Sequence, residues 1–213
     1  MLSGIIVLIV LIFSAIFHEV AHGYVAERLG DPTARLLGRL TLNPIKHIDP
    51  IMSIFLPLIL IFSGSPVIFG AAKPVPIDPF NLKDGRKDIA LVSIAGPGTN
   101  ILIAIVSGFF CRILFPGLNL EMIMSSGLFG FILGTIFYIN LLLAIFNLIP
   151  IPPLDGSKVF ALLLPEGLSV AYLSLGSIGF FIIFFLLLFP FGGFSLGQFI
   201  FNILIFAERL LGL

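Results

Sequence analysis

The chain has 213 residues, 59% of them hydrophobic and only 10% charged, with eleven basic side chains balancing eleven acidic ones. Soluble domains carry about 25% charged residues, so this composition excludes an ordinary soluble domain and predicts an integral membrane protein. A net charge of zero, with no basic block and no interleaving of basic and aromatic residues, excludes nucleic acid as a partner.

The first predicted element is an apolar helix that starts with residues 2–17, which hold no charged side chain, and runs into His18-Glu19-Val20-Ala21-His22. It lacks the basic start and small-residue cleavage site of a secretion signal, so it is expected to remain as a membrane helix. On a helix, His18 and His22 lie one turn apart on one face. Both imidazoles can there reach one tetrahedral zinc, with Glu19 beside the water that completes such a site. A charged group surrounded by lipid costs at least ~2.5–3.5 kcal/mol, so a glutamate without a use would be a standing loss of stability. The pattern predicts a zinc hydrolase built inside a membrane.

The next apolar stretch, residues 50–72, is interrupted by Pro57, Gly64 and Pro66, and its core at residues 51–62 falls short of the ~20 residues a spanning helix needs. Arg28, Arg35, Arg39 and Lys46 precede it, and Lys73, Lys83, Arg86 and Lys87 follow. If the segment returns to the side it left, these residues with Lys158 and Arg209 put ten of the eleven basic side chains on one side and only Arg112 on the other. Cytoplasmic loops show that asymmetry. The expectation is a re-entrant hairpin, an external N-terminus and a cytoplasmic C-terminus. Residues 67–77, apolar and punctuated by Pro74 and Pro76, suit an edge strand, so a small re-entrant hairpin or β segment is expected near residues 51–77. Such a strand could pair with an unwound stretch of substrate.

Residues 89–111 form another predicted crossing. Within it, Gly96, Gly98 and Asn100 read as close packing beside the histidine helix, with a kink at Pro97. Cys111, the sole cysteine, supports neither a disulfide nor a cysteine-type zinc site and reads as a small packing residue. A further crossing falls within residues 122–154, and the run 167–207 is split by Pro190, Gly192 and Gly193 into 168–189 and 194–211. The fold class is an all-α polytopic membrane protein of five to six transmembrane helices. The 24 Phe fit lipid-facing and core positions rather than a cofactor site.

This topology brings the His-Glu pair to the inner end of the first helix, about 24 Å below its start, and Asp155 to the inner end of its own helix. A hydrolytic zinc takes three protein ligands and leaves one position for water, so a third ligand is required. The candidates are His47, Asp49, Asp78, Asp84, Asp88, Asp155 and Glu166. Asp155 stands out because it follows an apolar helix end broken by Pro150, Pro152 and Pro153 and precedes Gly156. Irregular backbone at membrane depth persists only where it lines a protein cavity. His47 is the second choice, and helix capping is the competing role for Asp155.

The motif His18-Glu19-Val20-Ala21-His22, together with Asn147-x-x-Pro150-x-Pro152-x-Leu154-Asp155-Gly156, resembles the site-2 protease family of intramembrane zinc metalloproteases. Gly30-Asp31-Pro32-Thr33-Ala34, Lys73-Pro74-Val75-Pro76 and Gly96-Pro97-Gly98-Thr99-Asn100 are similar to stretches of its short prokaryotic members. The resemblance covers about residues 18–155 and thins in the final two helices. It implies one Zn2+ per chain held by His18, His22 and Asp155, with Glu19 as general base. It also implies that Asn147 orients substrate or steadies the oxyanion, a helix–helix hydrogen bond being the competing role. The implied organisation is one intramembrane protease domain over residues 1–213, with the zinc site in a core at 1–160 and a C-terminal helical pair at 161–213. Its substrates would be transmembrane proteins cut in regulated intramembrane proteolysis within the lipid bilayer. The charge asymmetry puts the active site on the cytoplasmic side of the cell membrane. No soluble insertion or appended regulatory domain is visible, so access is expected to depend on a regulatory membrane partner or on substrates trimmed beforehand. The alternative function is a membrane transporter or ion relay using the same buried groups, but the inverted repeat and paired broken helices of transporters are not evident.

Overall fold

The charge-free start of the chain continues through the His-Glu motif as one 28-residue helix, α1 (Leu2–Leu29). At 1.5 Å per residue it is about 42 Å long, more than the ~30 Å hydrocarbon layer. These features come from a computed structural model, which describes residues 2–49, 55, 59 and 73–213. On α1, buried Ser14, His18, His22 and Ala26 follow one another at four-residue intervals, the spacing that stacks side chains on one helix face. Leu2, Ile5, Leu8, Ile9 and Ile12 are exposed, which suits a surface in contact with lipid tails as apolar as they are.

After the short α2 (Thr33–Leu36), α3 (Arg86–Leu114) runs 29 residues through Pro97. Its buried side is lined with Ala90, Ser93, Gly96, Asn100, Ala104, Ser107, Gly108 and Cys111, small residues for the most part, which let neighbouring backbones approach closely. Then come α4 (Leu120–Ser125), α5 (Leu128–Asn147), α6 (Asp155–Ala161), α7 (Glu166–Leu173), α8 (Gly176–Leu188) and α9 (Leu196–Leu211). Asn100 of α3 bonds the Ser14 carbonyl while Val92 bonds His22, so α3 lies antiparallel to α1. Asn100 also bonds Asn140 of α5, and Gly108 packs on Phe137, so α5 is antiparallel to α3 in turn. The C-terminal ends of α1 and α5 therefore emerge at the same end of the bundle. A core of Ala104, Phe137, Leu141, Ile183, Leu196 and Leu204 joins α3 and α5 to α8 and α9.

Among the described residues three helices, α1, α3 and α5, are long and apolar enough to cross a membrane; a fourth span results if α7 and residues 178–188 of α8, bent by 67°, count as one. The expected five to six crossings are not reached there. The run 168–189 breaks beside Gly176, leaving α8 with 13 residues, and α9 has 16, both under the ~20 a span needs. The described residues hold no strand. Lys73 to Ile77, the described end of the expected β segment, has no regular secondary structure, since Pro74 and Pro76 lack two of the N–H groups a ladder would use. The expected re-entrant hairpin at residues 51–72 lies almost wholly outside the described residues.

Residues 73–78 form a strap tied to the end of α1. Asp31, fully buried, accepts from the Asp78 N–H (2.7 Å), the Asn81 side chain (3.0 Å), the Thr33 N–H (3.1 Å) and the Thr33 hydroxyl. Arg39 donates to the carbonyls of Lys73 (2.7 Å) and Pro74 (3.2 Å). Burial pushes the Asp31 carboxyl up, but the donors around it outweigh burial and hold it below the ordinary carboxylate range. A carboxylate shifted in that direction contributes stability above its unfolded-state pKa and loses it as pH falls through the lower folded-state value. The anchor is therefore expected to hold at neutral pH and to release only below about pH 4. Asp31→Ala should release it at every pH, at about 1–3 kcal/mol for each buried donor left without an acceptor. Hydrogen exchange at the Asp78 amide, compared with amides in the middle of α5, checks both expectations.

Candidate metal centre

The two histidines of α1 rest directly on the backbone of α3. A Cβ at Gly96 would lie 2.5 Å from His22 Nε2 and 2.6 Å from His18 Nε2, so this position has no room for any side chain. Gly98 has nothing within 4 Å of its own would-be Cβ, so the packing role read for both glycines applies to Gly96 alone.

Asp155 reaches the histidines from the other side. Past the end of α5 the chain turns irregularly through Pro150, Pro152 and Pro153, and Asp155 opens α6. Gly156 packs so closely on the Leu148 carbonyl that it too excludes a side chain. Arg86, at the start of α3, donates to the carbonyls of Ala161 and Leu164 (2.6 Å for the latter), pinning the far end of α6. This favours a cation near helix C-terminal carbonyls. The Asp155 carboxylate is not used as a cap. Its Oδ2 lies 3.1 Å from His18 Nε2 and 3.1 Å from His22 Nε2, and the two Nε2 atoms are 3.0 Å apart. All three residues are buried, and among the described residues they form the one group of His, Cys, Asp or Glu whose ligand atoms lie close enough to share a metal. His47 lies elsewhere, its Nε2 donating to the Thr41 carbonyl at 2.8 Å, and takes no part in the group.

Hydrogen bonds at the opposite ring nitrogens decide what this triangle can hold. His22 Nδ1 is 2.7 Å from the Val92 carbonyl oxygen, which can only accept, so Nδ1 carries the proton. His18 Nδ1 donates to Asn100 Oδ1 at 2.6 Å. In neutral imidazoles so oriented, both Nε2 atoms carry bare lone pairs, and these face each other and a carboxylate oxygen with no proton between them. Such a triangle repels itself unless a metal ion occupies its centre or a ring takes up a second proton. Around a tetrahedral zinc with bonds of ~2.0–2.1 Å, neighbouring ligand atoms are about 3.3 Å apart, close to the separations here, and N–H donation from the far ring nitrogen is the usual support for a metal-bound histidine. The residues fit Zn2+.

These groups border a cavity of about 220 Å3, shared with Glu19, Asn147, Lys158 and, from the strap, Pro74, Val75 and Ile77. Glu19 Oε2 accepts the Val75 N–H at 2.7 Å. Asn147 donates to the Leu143 carbonyl of its own helix at 3.0 Å rather than to another helix. Lys158 Nζ donates to Asp155 Oδ1 at 3.2 Å. Sequence alone gives Val75 and Lys158 no role beside the metal ligands and reads Asn100 as packing. A strongly polar side chain midway along an apolar span is the signal that marks Asn100.

A sequence model of Peptidase family M50 matches residues 118–190, which include Asp155. A Bacillus subtilis protein named "Putative zinc metalloprotease YwhC" is 41% identical over 190 residues, covering 88% of this chain and 82% of that protein. A Mycobacterium tuberculosis protein named "Putative zinc metalloprotease Rip2" is 30% identical over 156 residues, covering 72% of this chain and 56% of that longer protein. No solved structure matches.

Gly96→Ala is expected to displace both imidazoles and lower zinc affinity by roughly 10–100-fold, the loss usual when the support of metal ligands is disturbed. Gly98→Ala should leave it unchanged. Competition with a chelator of known affinity, run on both variants, checks this.

Proposed function

Because the chain belongs to peptidase family M50, the site-2 zinc metalloproteases, we propose that this membrane-embedded zinc metalloendopeptidase cuts transmembrane protein substrates by means of His18, His22, Asp155 and Glu19. The observation that carries the residue assignment is the buried triangle of His18, His22 and Asp155, with all three ligand atoms within 3.1 Å of one another and Glu19 on the same cavity.

His18 and His22 would hold the ion through Nε2, their Nδ1 protons being committed to Asn100 and Val92. Asp155 would hold it through Oδ2, while Lys158 occupies Oδ1 and offsets part of the carboxylate charge. Zinc bound there supplies a Lewis acid that lowers the pKa of coordinated water toward 7. Glu19, with Oε2 steadied by the Val75 N–H, takes the proton of the attacking water on its other oxygen and delivers it to the departing amine nitrogen. Asn147, on the cavity wall, orients the substrate or steadies the carbonyl oxygen as charge builds on it. A helical peptide bond is sheltered by its own hydrogen bonds, so the substrate must enter unwound, and the strap is the backbone it meets beside Glu19. The bundle end holding the site also carries Arg28, Lys83 and Arg86, and the asymmetry of basic loops supports a cytoplasmic active site.

Cleavage of a transmembrane peptide by the purified chain in lipid tests the assignment. Glu19→Gln should keep its zinc and lose at least about 10²–10⁴-fold in rate, the contribution of a positioned general base. His22→Ala and Asp155→Ala should lose the zinc itself. Chelation should abolish cleavage by the unmodified chain and added zinc restore it; equal cleavage by Glu19→Gln would remove the proposed base. Reporter fusions at Lys83 and Arg112 should read cytoplasmic and external respectively.

A further inference from the structure

We infer that Asn140, a residue of α5 outside the metal triangle, is a positioning residue that, with the Ser14 carbonyl, holds the proton of His18 on Nδ1. The inference rests on the reading of His18 as a zinc ligand. The two histidines are oriented by chemically different partners. His22 faces a backbone carbonyl, which accepts and cannot donate, so its tautomer is settled locally. His18 faces the side-chain amide of Asn100, whose two ends have nearly the same shape and opposite hydrogen-bonding character. With Oδ1 toward the ring, Nδ1 donates and Nε2 keeps a free lone pair. With the amide turned over, Nδ1 must accept, Nε2 takes the proton and cannot bind a metal.

The choice is made one residue further away. Asn100 Nδ2 donates to Asn140 Oδ1 at 2.9 Å and to the Ser14 carbonyl at 3.3 Å. Asn140 could in principle turn over as well, but its own Nδ2 donates to the Ile136 carbonyl at 2.8 Å and to Ser14 Oγ at 2.9 Å. The backbone carbonyl of Ile136 thus fixes Asn140; Asn140, as the nearer acceptor at 2.9 Å, fixes Asn100 together with the Ser14 carbonyl at 3.3 Å; and Asn100 fixes His18. Asn100, Asn140 and Ser14 are 0%, 1% and 4% exposed, so no water can stand in for a missing partner. Turning either amide would leave buried donors facing donors. Helix α5 therefore contributes, through α3, to the proton position on α1.

The chain contains three histidines, so labelling it with 15N-histidine gives few enough signals to assign. In the full chain in lipid nanodiscs, zinc should move the Nε2 signals of both His18 and His22. If His18 does not respond in the unmodified chain, the ligand reading fails and this inference falls with it. In Asn140→Leu, close in size but without polar atoms, the His18 signal should shift toward the Nε2-protonated form, His22 should stay in place, and zinc affinity should drop by roughly 10–100-fold. In Asn140→Asp, whose protonated carboxyl can still accept from Asn100 and donate to Ser14, the His18 signal and the affinity should return toward those of the unmodified chain. An unchanged His18 in Asn140→Leu, or His18 and His22 shifting together as general loosening would cause, overturns the inference. If Asn140→Leu does not fold, Asn140→Asp decides alone: a His18 proton on Nε2 in that folded variant overturns it.

Discussion

The structure depends on one enforced repulsion. Three electron-rich atoms, two imidazole nitrogens and a carboxylate oxygen, are held within 3.1 Å of one another inside an apolar bundle. Separately they would turn toward protons or water. Here Val92 and Asn100 hold the rings from behind and Lys158 occupies the other oxygen of the carboxylate, so relaxation is closed off on every side. The free energy that would be lost to unsatisfied polar groups becomes, once a divalent cation is present, binding free energy for that cation.

The two helices that carry the histidines and their support, α1 and α3, divide their surfaces. Most of their leucine, isoleucine and phenylalanine residues face outward, where lipid neither rewards nor penalises one apolar residue over another. Most of their buried positions go to small or hydrogen-bonding residues. Gly96 lets α3 serve as a floor for two imidazoles, Gly156 lets the proline-rich turn close on itself, and Gly108 makes room for Phe137. Association of helices in lipid gains little from hydrophobicity, so close backbone approach and interhelical hydrogen bonds must supply it. The same contacts that hold the helices together also orient the two histidines.

Much of this was legible in the sequence because spacing is a property of the chain. Four-residue separation is enough to put His18 and His22 on one face, and the prolines before Asp155 are enough to mark an irregular turn at membrane depth. What spacing cannot reveal is the partner across the gap. Asn100 falls on the buried face of its helix whether it packs or bonds, and only the antiparallel register of α1 and α3 shows that it meets His18. The contact of Val75 with Glu19 joins residues 56 apart through a segment without regular structure, which leaves no periodic trace. The C-terminal crossings expected from composition are not met among the described residues for a related reason: composition measures how apolar a run is, whereas the break beside Gly176 shortens the helices that run forms.

The order of the donors along the chain has a consequence for biosynthesis. His18 and His22 leave the ribosome early, but the carboxylate that completes their triangle follows 133 residues after the second of them. At ~5–20 residues per second this interval lasts several seconds to tens of seconds. Throughout it the nascent polypeptide carries only two of the three donors and no complete cutting centre. The earlier helices α1 to α5 are thus all synthesised before the third donor exists.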